Sequence, residues 1–324
     1  MSEESLETVS PFTAPPPPVQ QRPTCKAAVR ADRGGPYIIL RQPNGYSAEI
    51  LIYGAQVISW KNERQQELLF LSKKAVYRPP HPIRGGIPIC FPKFFGKENM
   101  DKHGFARIRL WQTETLADDA VFPLPTPDNA YVDFVLNHMP RDFPDWPNHR
   151  FELRLRVILG PTGDLTMTSR VKNVNTNGEP FTFKFAYHTY FSVSNIRATQ
   201  IEGLQTLDYL DYLEDHEQLT DEADAITFED ELDRVYLNTP DDIFVTDREL
   251  RRTITIHKDA SLPEIVVWNP WDIEARDMDD LGDEEYREFV CVEAAAMESE
   301  ITLNPNEEWT GTQRLSVEEY IDLI

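Results

Sequence analysis

The sequence predicts an all-β protein of antiparallel strands, arranged as a large sandwich or barrel. Three observations carry that expectation. Apolar and polar residues alternate with a period of two over several stretches. Clear turn signals separate those stretches. Sustained helical periodicity is scarce, so the alternating strand and helix patterns of a parallel sheet are missing.

The elements follow in chain order. Ile38-Ile39-Leu40 and Ala48-Glu49-Ile50-Leu51-Ile52 flank Asn44-Gly45, a strong signal for a tight hairpin. In FELRLRVIL, Phe151, Leu153, Leu155, Val157 and Leu159 alternate with Glu152, Arg154 and Arg156. Pro161-Thr162-Gly163-Asp164 turns the chain, and Leu165, Met167, Ser169 and Val171 continue the alternation on a returning strand. FTFKFAYHTYF puts Phe181, Phe183, Phe185 and Tyr187 on one face and Thr182, Lys184, Ala186 and His188 on the other. Further strands are expected at 253–257, 264–268 and 289–294. Residues 208–233 and 272–288 are strongly acidic. The second is expected as a solvated loop, because it lacks the spaced ligands of a calcium-binding EF-hand loop. No internal repeat is evident.

Residues 1–24 read as a disordered leader with Pro15–Pro18 and little to bury. Docking of that proline run on an aromatic groove of a protein partner is the alternative. Residues 25–315 read as one domain and 316–324 as a C-terminal tail.

Composition excludes several classes. Of 324 residues, 40% are hydrophobic and 11% aromatic, too many for a wholly disordered chain. With 32 Lys and Arg against 55 Asp and Glu, the net charge of -23 opposes binding to nucleic acid or to anionic membranes. No apolar run is long enough for a membrane span. Glu3, Glu4 and Glu7 precede the first basic residue, Arg22, which is neither a secretory nor a transit pattern and points to the cytoplasm. Cys25, Cys90 and Cys291 cannot build a disulfide framework and read as reduced thiols, the last two buried among apolar neighbours. The seven histidines are scattered without HExxH spacing, so a zinc site has no support.

Residues 84–109 stand out. Arg84, Lys93, Lys97, Lys102, Arg107 and Arg109 face only Glu98 and Asp101, a local charge of +4 against -27 for the rest of the chain. Such an island suits a small anion: arginine offers a planar fork for phosphate oxygens and lysine a point charge. A surface loop whose bases pair with the many carboxylates is the competing reading. His188 lies on the polar face of its strand and can exchange a proton near neutrality, or it is a satisfied structural histidine. Glu293 ends an apolar run, where a carboxylate needs a partner or a chemical task. Asp233 precedes a short apolar stretch and is otherwise a surface residue. Trp268 and Trp271 either pack in the core or line a sugar site.

RGGIPICFPKFFG, HGFAR, FAYHTYF, VVWNPW and FVCVEAA occur in that order after YGAQVISW. Together they resemble the glucose-6-phosphate 1-epimerases, the hexose-6-phosphate mutarotases of the aldose 1-epimerase superfamily. The resemblance covers about residues 25–315 and implies a galactose mutarotase-like β-supersandwich with the sugar on a concave face. It implies His188 and Glu293 as catalytic, Arg84 and Arg107 as phosphate-binding, and Asp233 as sugar-contacting. Lys102 stands where a neutral glutamine is common, as a further phosphate contact, and Lys93 also replaces a neutral residue. The implied reaction interconverts the α and β anomers of D-glucose 6-phosphate by acid–base ring opening, with no metal or other cofactor, in a monomer. The alternatives are a mutarotase of unphosphorylated aldoses, a non-catalytic sugar-phosphate-binding module, and an interaction protein acting through its proline run and acidic loops.

Overall fold

The computed structural model describes residues 26–30, 35–94, 102–114, 122–137, 146 and 149–320. The expected leader, Cys25 and Lys97 lie outside them. Every pairing between strands is antiparallel among the described residues. One α-helix accompanies them, Trp271–Asp277. Among the described residues, no helix is long and apolar enough to cross a membrane.

Three sheets build the molecule. The first is a four-stranded meander from Lys26–Arg30 to Val57–Lys61, and it contains the hairpin expected at Asn44-Gly45. The second has nine strands, with Arg252–Lys258, Glu308–Glu319, Leu165–Asn173 and Phe151–Leu159 side by side at its centre. The third has eight, and four of its strands carry the site: Leu232–Tyr236, Glu264–Asn269, Phe289–Leu303 and Phe181–Tyr187, in that order.

The two large sheets meet through the alternation read from FTFKFAY. Phe183 and Phe185 pack on Trp309 at ring-centroid distances of 5.7 and 4.9 Å. The Tyr187 hydroxyl lies 2.8 Å from Ser169 Oγ and 2.9 Å from the Gly311 carbonyl. Burying these aromatic faces is the main driving force for closing the sandwich. The partners in Phe151–Leu159 and Leu165–Asn173 are almost continuously paired, with their odd-numbered residues buried.

Three sequence expectations change. The tail set at 316–324 is partly sheet: residues 313–319 of the strand Glu308–Glu319 pair with Arg252–Lys258, and the Tyr320 hydroxyl donates to Thr253. Its charged residues hide a strand whose alternate positions still bury Gly311, Gln313 and Leu315. The strand expected at 289–294 runs on to Leu303, because Ile301–Leu303 finds Phe181–Phe183 as a neighbour. The acidic stretch 272–288 is not merely a solvated loop. It forms the helix and a 3₁₀ turn at Glu285–Glu288, and Glu285 is buried.

Candidate active site

Residues opposite one another in antiparallel strands point to the same side of the sheet. Asp233 faces Trp268, Trp268 faces Cys291, and Val266 faces Glu293. Ala186 faces Ala295, two residues beyond Glu293. The register therefore gathers Asp233, Trp268, Cys291 and Glu293 on the outer face of the eight-stranded sheet, with His188 continuing the face of Ala186. Small side chains at Ala186 and Ala295 leave depth there. They belong to a separate apolar cluster with Cys90, Phe94, Val235, Val266 and Met297.

Two loops close over this face. Arg84 is carried by a turn clamped from behind by Gln56 Nε2, which donates to the Ile83 and Gly85 carbonyls at 3.1 and 2.6 Å. Gly85 is left-handed there, and a Cβ would collide with the Phe70 carbonyl. The HGFAR segment passes equally close to Phe91, whose carbonyl accepts the amides of Phe105 and Ala106. That approach places His103 and Arg107 at the pocket.

One pocket, with an empty volume of about 470 Å³, is lined by Arg84, Lys102, Arg107, His188, Asp233 and Glu293 together. All six residues singled out in the sequence thus meet. Trp268 also lines it, whereas Trp271 packs on Tyr286 instead. Lys93 lies in a larger groove beyond Phe94 and Lys102, with Lys184 and Trp146. Arg109 lines neither space.

His188 and Glu293 are almost fully buried, with Nδ1 and Oε1 3.0 Å apart. The contact is not aligned as a hydrogen bond, and His188 Nδ1 and Glu293 Oε2 are buried without hydrogen-bond partners. Burial and the charges of Arg107, Arg84 and Lys102 hold the imidazole well below its ordinary range. Burial and Asp233 push the Glu293 carboxyl well above its own, against Arg107 and Lys102. Both shifts disfavour the imidazolium–carboxylate ion pair and favour the neutral pair. It holds one mobile proton, the same number as imidazolium plus carboxylate. Burial, with help from Glu231 and Asp211 and against Lys102, raises Asp233 to about 7.

The cationic side is less uniform. Arg84 Nε and Nη2 both lie 3.1 Å from Asp280 Oδ1, and Nη1 donates to the Tyr190 hydroxyl at 3.0 Å. Burial alone would lower Arg84, but Tyr190 and Asp280 more than offset it and hold the guanidinium above its ordinary value. Arg107 Nη2 donates to the Lys102 carbonyl at 2.6 Å.

Several pocket residues escaped the sequence reading. His103 lies 5.3 Å from His188 between ring centroids, and burial, together with Arg107 and His188, holds it well below its ordinary range. Its presence in HGFAR, inside the basic island, was the available signal. Tyr190 stacks on His188 at 4.6 Å and 8°. Asp280 had no local signal, being one acid among many. His188, Cys291 and Glu293 offer metal donors within 4.8 Å of one another. The chemistry does not suit a cation: burial raises the Cys291 thiol, and Arg84, Lys102 and Arg107 surround the set with positive charge.

Comparison with known proteins identifies the family and the fold. The sequence pattern of the family described as aldose 1-epimerase matches residues 36–316. A protein of Cenchrus ciliaris provisionally named glucose-6-phosphate 1-epimerase is 50% identical over 288 residues, covering 89% of this chain and 86% of that one. An Escherichia coli K12 protein with the same provisional name is 33% identical over 252 residues, 76% of this chain and 79% of its own. The crystal structure of a provisionally named mutarotase from Salmonella typhimurium superimposes with a TM-score of 0.78 at 26% identity, covering 93% of this chain and 96% of that one. A galactose mutarotase-like protein of Clostridium acetobutylicum shares the fold, with a TM-score of 0.71 at 17% identity over 92% and 99% of the two chains. The chain belongs to the aldose 1-epimerase family and is a sugar isomerase.

Proposed function

We propose that the protein interconverts the α and β anomers of a hexose 6-phosphate, with D-glucose 6-phosphate as the preferred substrate. The observation that carries this reading is the polarity of the pocket. A buried proton-exchanging pair occupies one end, and Arg84, Lys102 and Arg107 line the same cavity. An uncharged sugar needs no such cations. The provisional name of the Cenchrus ciliaris relative supports the same substrate.

Ring opening needs a proton delivered to the ring oxygen and another removed from the anomeric hydroxyl. His188 donates to the ring oxygen, and Glu293 accepts from the hydroxyl. The C1–O5 bond breaks as the C1 carbonyl forms. The aldehyde turns about C1–C2, O5 attacks its other face, and both protons return. Arg84 is among the groups that depress His188, while Glu293 responds to burial first and then to Asp233, Arg107 and Lys102. A dianion resting on Arg84 relieves that depression and favours moving the shared proton to the imidazole before reaction. Asp233, on the same sheet face, positions sugar hydroxyls. Phosphorylated sugars are too polar to cross a bilayer unaided, so the reaction belongs in the cytoplasm.

The test is exchange NMR of the anomeric protons of glucose 6-phosphate and of glucose, with and without the protein. The expected result is a kcat/KM strongly in favour of the phosphate ester. Equal acceleration of both sugars would favour a plain aldose mutarotase, and saturable binding without acceleration a non-catalytic module.

A further inference from the structure

Asp280 enters none of the chemistry above, yet it is tied into the pocket from two sides. Its Oδ1 accepts from Nε of Arg84 and forms an ion pair with Nη2, so the Nε edge of the guanidinium is occupied by protein. Nη1 is engaged by Tyr190, whose hydroxyl is 3.5 Å from His188 Nε2 and whose ring lies flat on the imidazole. An arginine held at two points presents its remaining N–H groups in a fixed direction, which a long side chain cannot do alone without losing rotamer entropy.

The loop bearing Asp280 is itself pinned. Glu285 accepts from Ser72 Oγ at 2.7 Å, from the Lys73 amide at 3.0 Å and from the Gly282 amide at 2.8 Å. The Ser72 amide in turn donates to the Arg84 carbonyl at 3.1 Å. Backbone and side chain of Arg84 are thus referenced to the same loop. The acidic stretch has a local purpose in addition to solvation.

We propose that Asp280 is the positioning residue of the phosphate-binding arginine, orienting Arg84 between the substrate phosphate and the Tyr190–His188 stack. This rests on the hexose-phosphate reading of the pocket. A carboxylate at this distance also repels a dianion, so position and charge make opposite predictions. Removing the acceptor altogether weakens phosphate binding. Removing only the charge, with the oxygen kept, leaves binding intact or improves it.

The experiment compares Asp280→Ala with Asp280→Asn, alone and combined with Arg84→Ala. The readouts are KM for glucose 6-phosphate from anomer exchange and the thermal upshift produced by inorganic phosphate. Asp280→Ala is expected to raise KM about 5- to 30-fold, the range for one or two kcal/mol, and to shrink the phosphate upshift. Asp280→Asn should stay within about threefold of wild type or bind more tightly. With Arg84→Ala present, neither change should raise KM further, because Asp280 then has nothing to orient and only its repulsion of the dianion is removed. A wild-type KM in Asp280→Ala overturns the proposal. So does an Asn variant as impaired as the Ala variant, or an effect that persists without Arg84. If the alanine protein does not fold, the asparagine variant still decides: a KM raised by more than about threefold rejects the role. A wild type that does not accelerate glucose 6-phosphate exchange would instead defeat the functional reading, and the phosphate upshift separates the two failures.

Discussion

The two ends of the pocket are built differently. Glu293, Trp268 and Asp233 project from three neighbouring strands, and their common face follows from the sheet register. His188 continues the face of the next strand. The cations sit on loops, and each needs outside help: Gln56 behind Arg84, Asp280 and Tyr190 beside it, and the Phe91 carbonyl under HGFAR. A sheet resists displacement because a one-residue slip would turn every side chain over. A loop can be moved by the loss of one hydrogen bond. On the proposed function, proton transfer demands the tighter geometry and falls to the stiffer scaffold, while phosphate binding falls to the adjustable one. Lesions at the strand end should therefore change turnover, and lesions at the loop end should change affinity.

The largest effect is expected at the strand end. His188→Asn and Glu293→Gln should each lower kcat for anomer exchange by about 10²–10⁴-fold while leaving binding of glucose 6-phosphate nearly unchanged. Stopped anomer exchange with unaltered titration calorimetry is the confirming pattern. A kcat near wild type in either variant breaks the comparison.

Next come the loop arginines. Arg84→Ala and Arg107→Ala should each cost about 10- to 150-fold in kcat/KM for glucose 6-phosphate, mostly through KM, since a charge-assisted hydrogen bond contributes about 1.5–3 kcal/mol. The slower reaction of free glucose should barely respond. The acidic chain gives a dianion no long-range help, so selectivity must come from these short contacts. If the ratio of efficiencies for the two sugars does not move, the phosphate end is wrongly placed.

Glu285→Ala sharpens the contrast from farther away. It removes two hydrogen bonds that stitch the acidic loop to residues 72–73 and a third, from the Gly282 amide, within the loop. A melting temperature lowered by the loss of about 1–3 kcal/mol is expected, with a KM shift in the direction of Asp280→Ala but smaller. Loss of kcat at unchanged KM would show that the loop serves the catalytic pair instead.

The last expected effect leaves turnover and affinity aside and is in stability. Asp233 is raised from 3.8 to about 7, so between those values the folded protein holds a proton that the unfolded chain has released. Stability then falls as pH rises through that window and stays lower above it. Asp233→Asn carries no such penalty. Its melting temperature should gain on the wild type from pH 4 to pH 7 and the gain should level off beyond. A constant difference across that range would show that Asp233 does not titrate as the pocket requires.

The strands that build the site were legible because burial imposes a period of two, and that period survives in FELRLRVIL and FTFKFAY. The candidate residues were legible because the basic island and the ordered motifs mark them within short segments. Distances in space left no such trace. His103 reaches the pocket, and Tyr190 and Asp280 reach Arg84 beside it, through contacts made elsewhere in the fold, and acidic residues 272–288 look locally like any solvated run. The extension of the Phe289–Leu303 strand likewise came from a neighbour that the chain meets about 120 residues away, at Phe181–Phe183. Local pattern encodes which face of an element is buried, since that depends on consecutive residues. Pairing, register across sheets and the proton affinities of buried groups depend on which distant segments share one small volume, and folding alone brings those together.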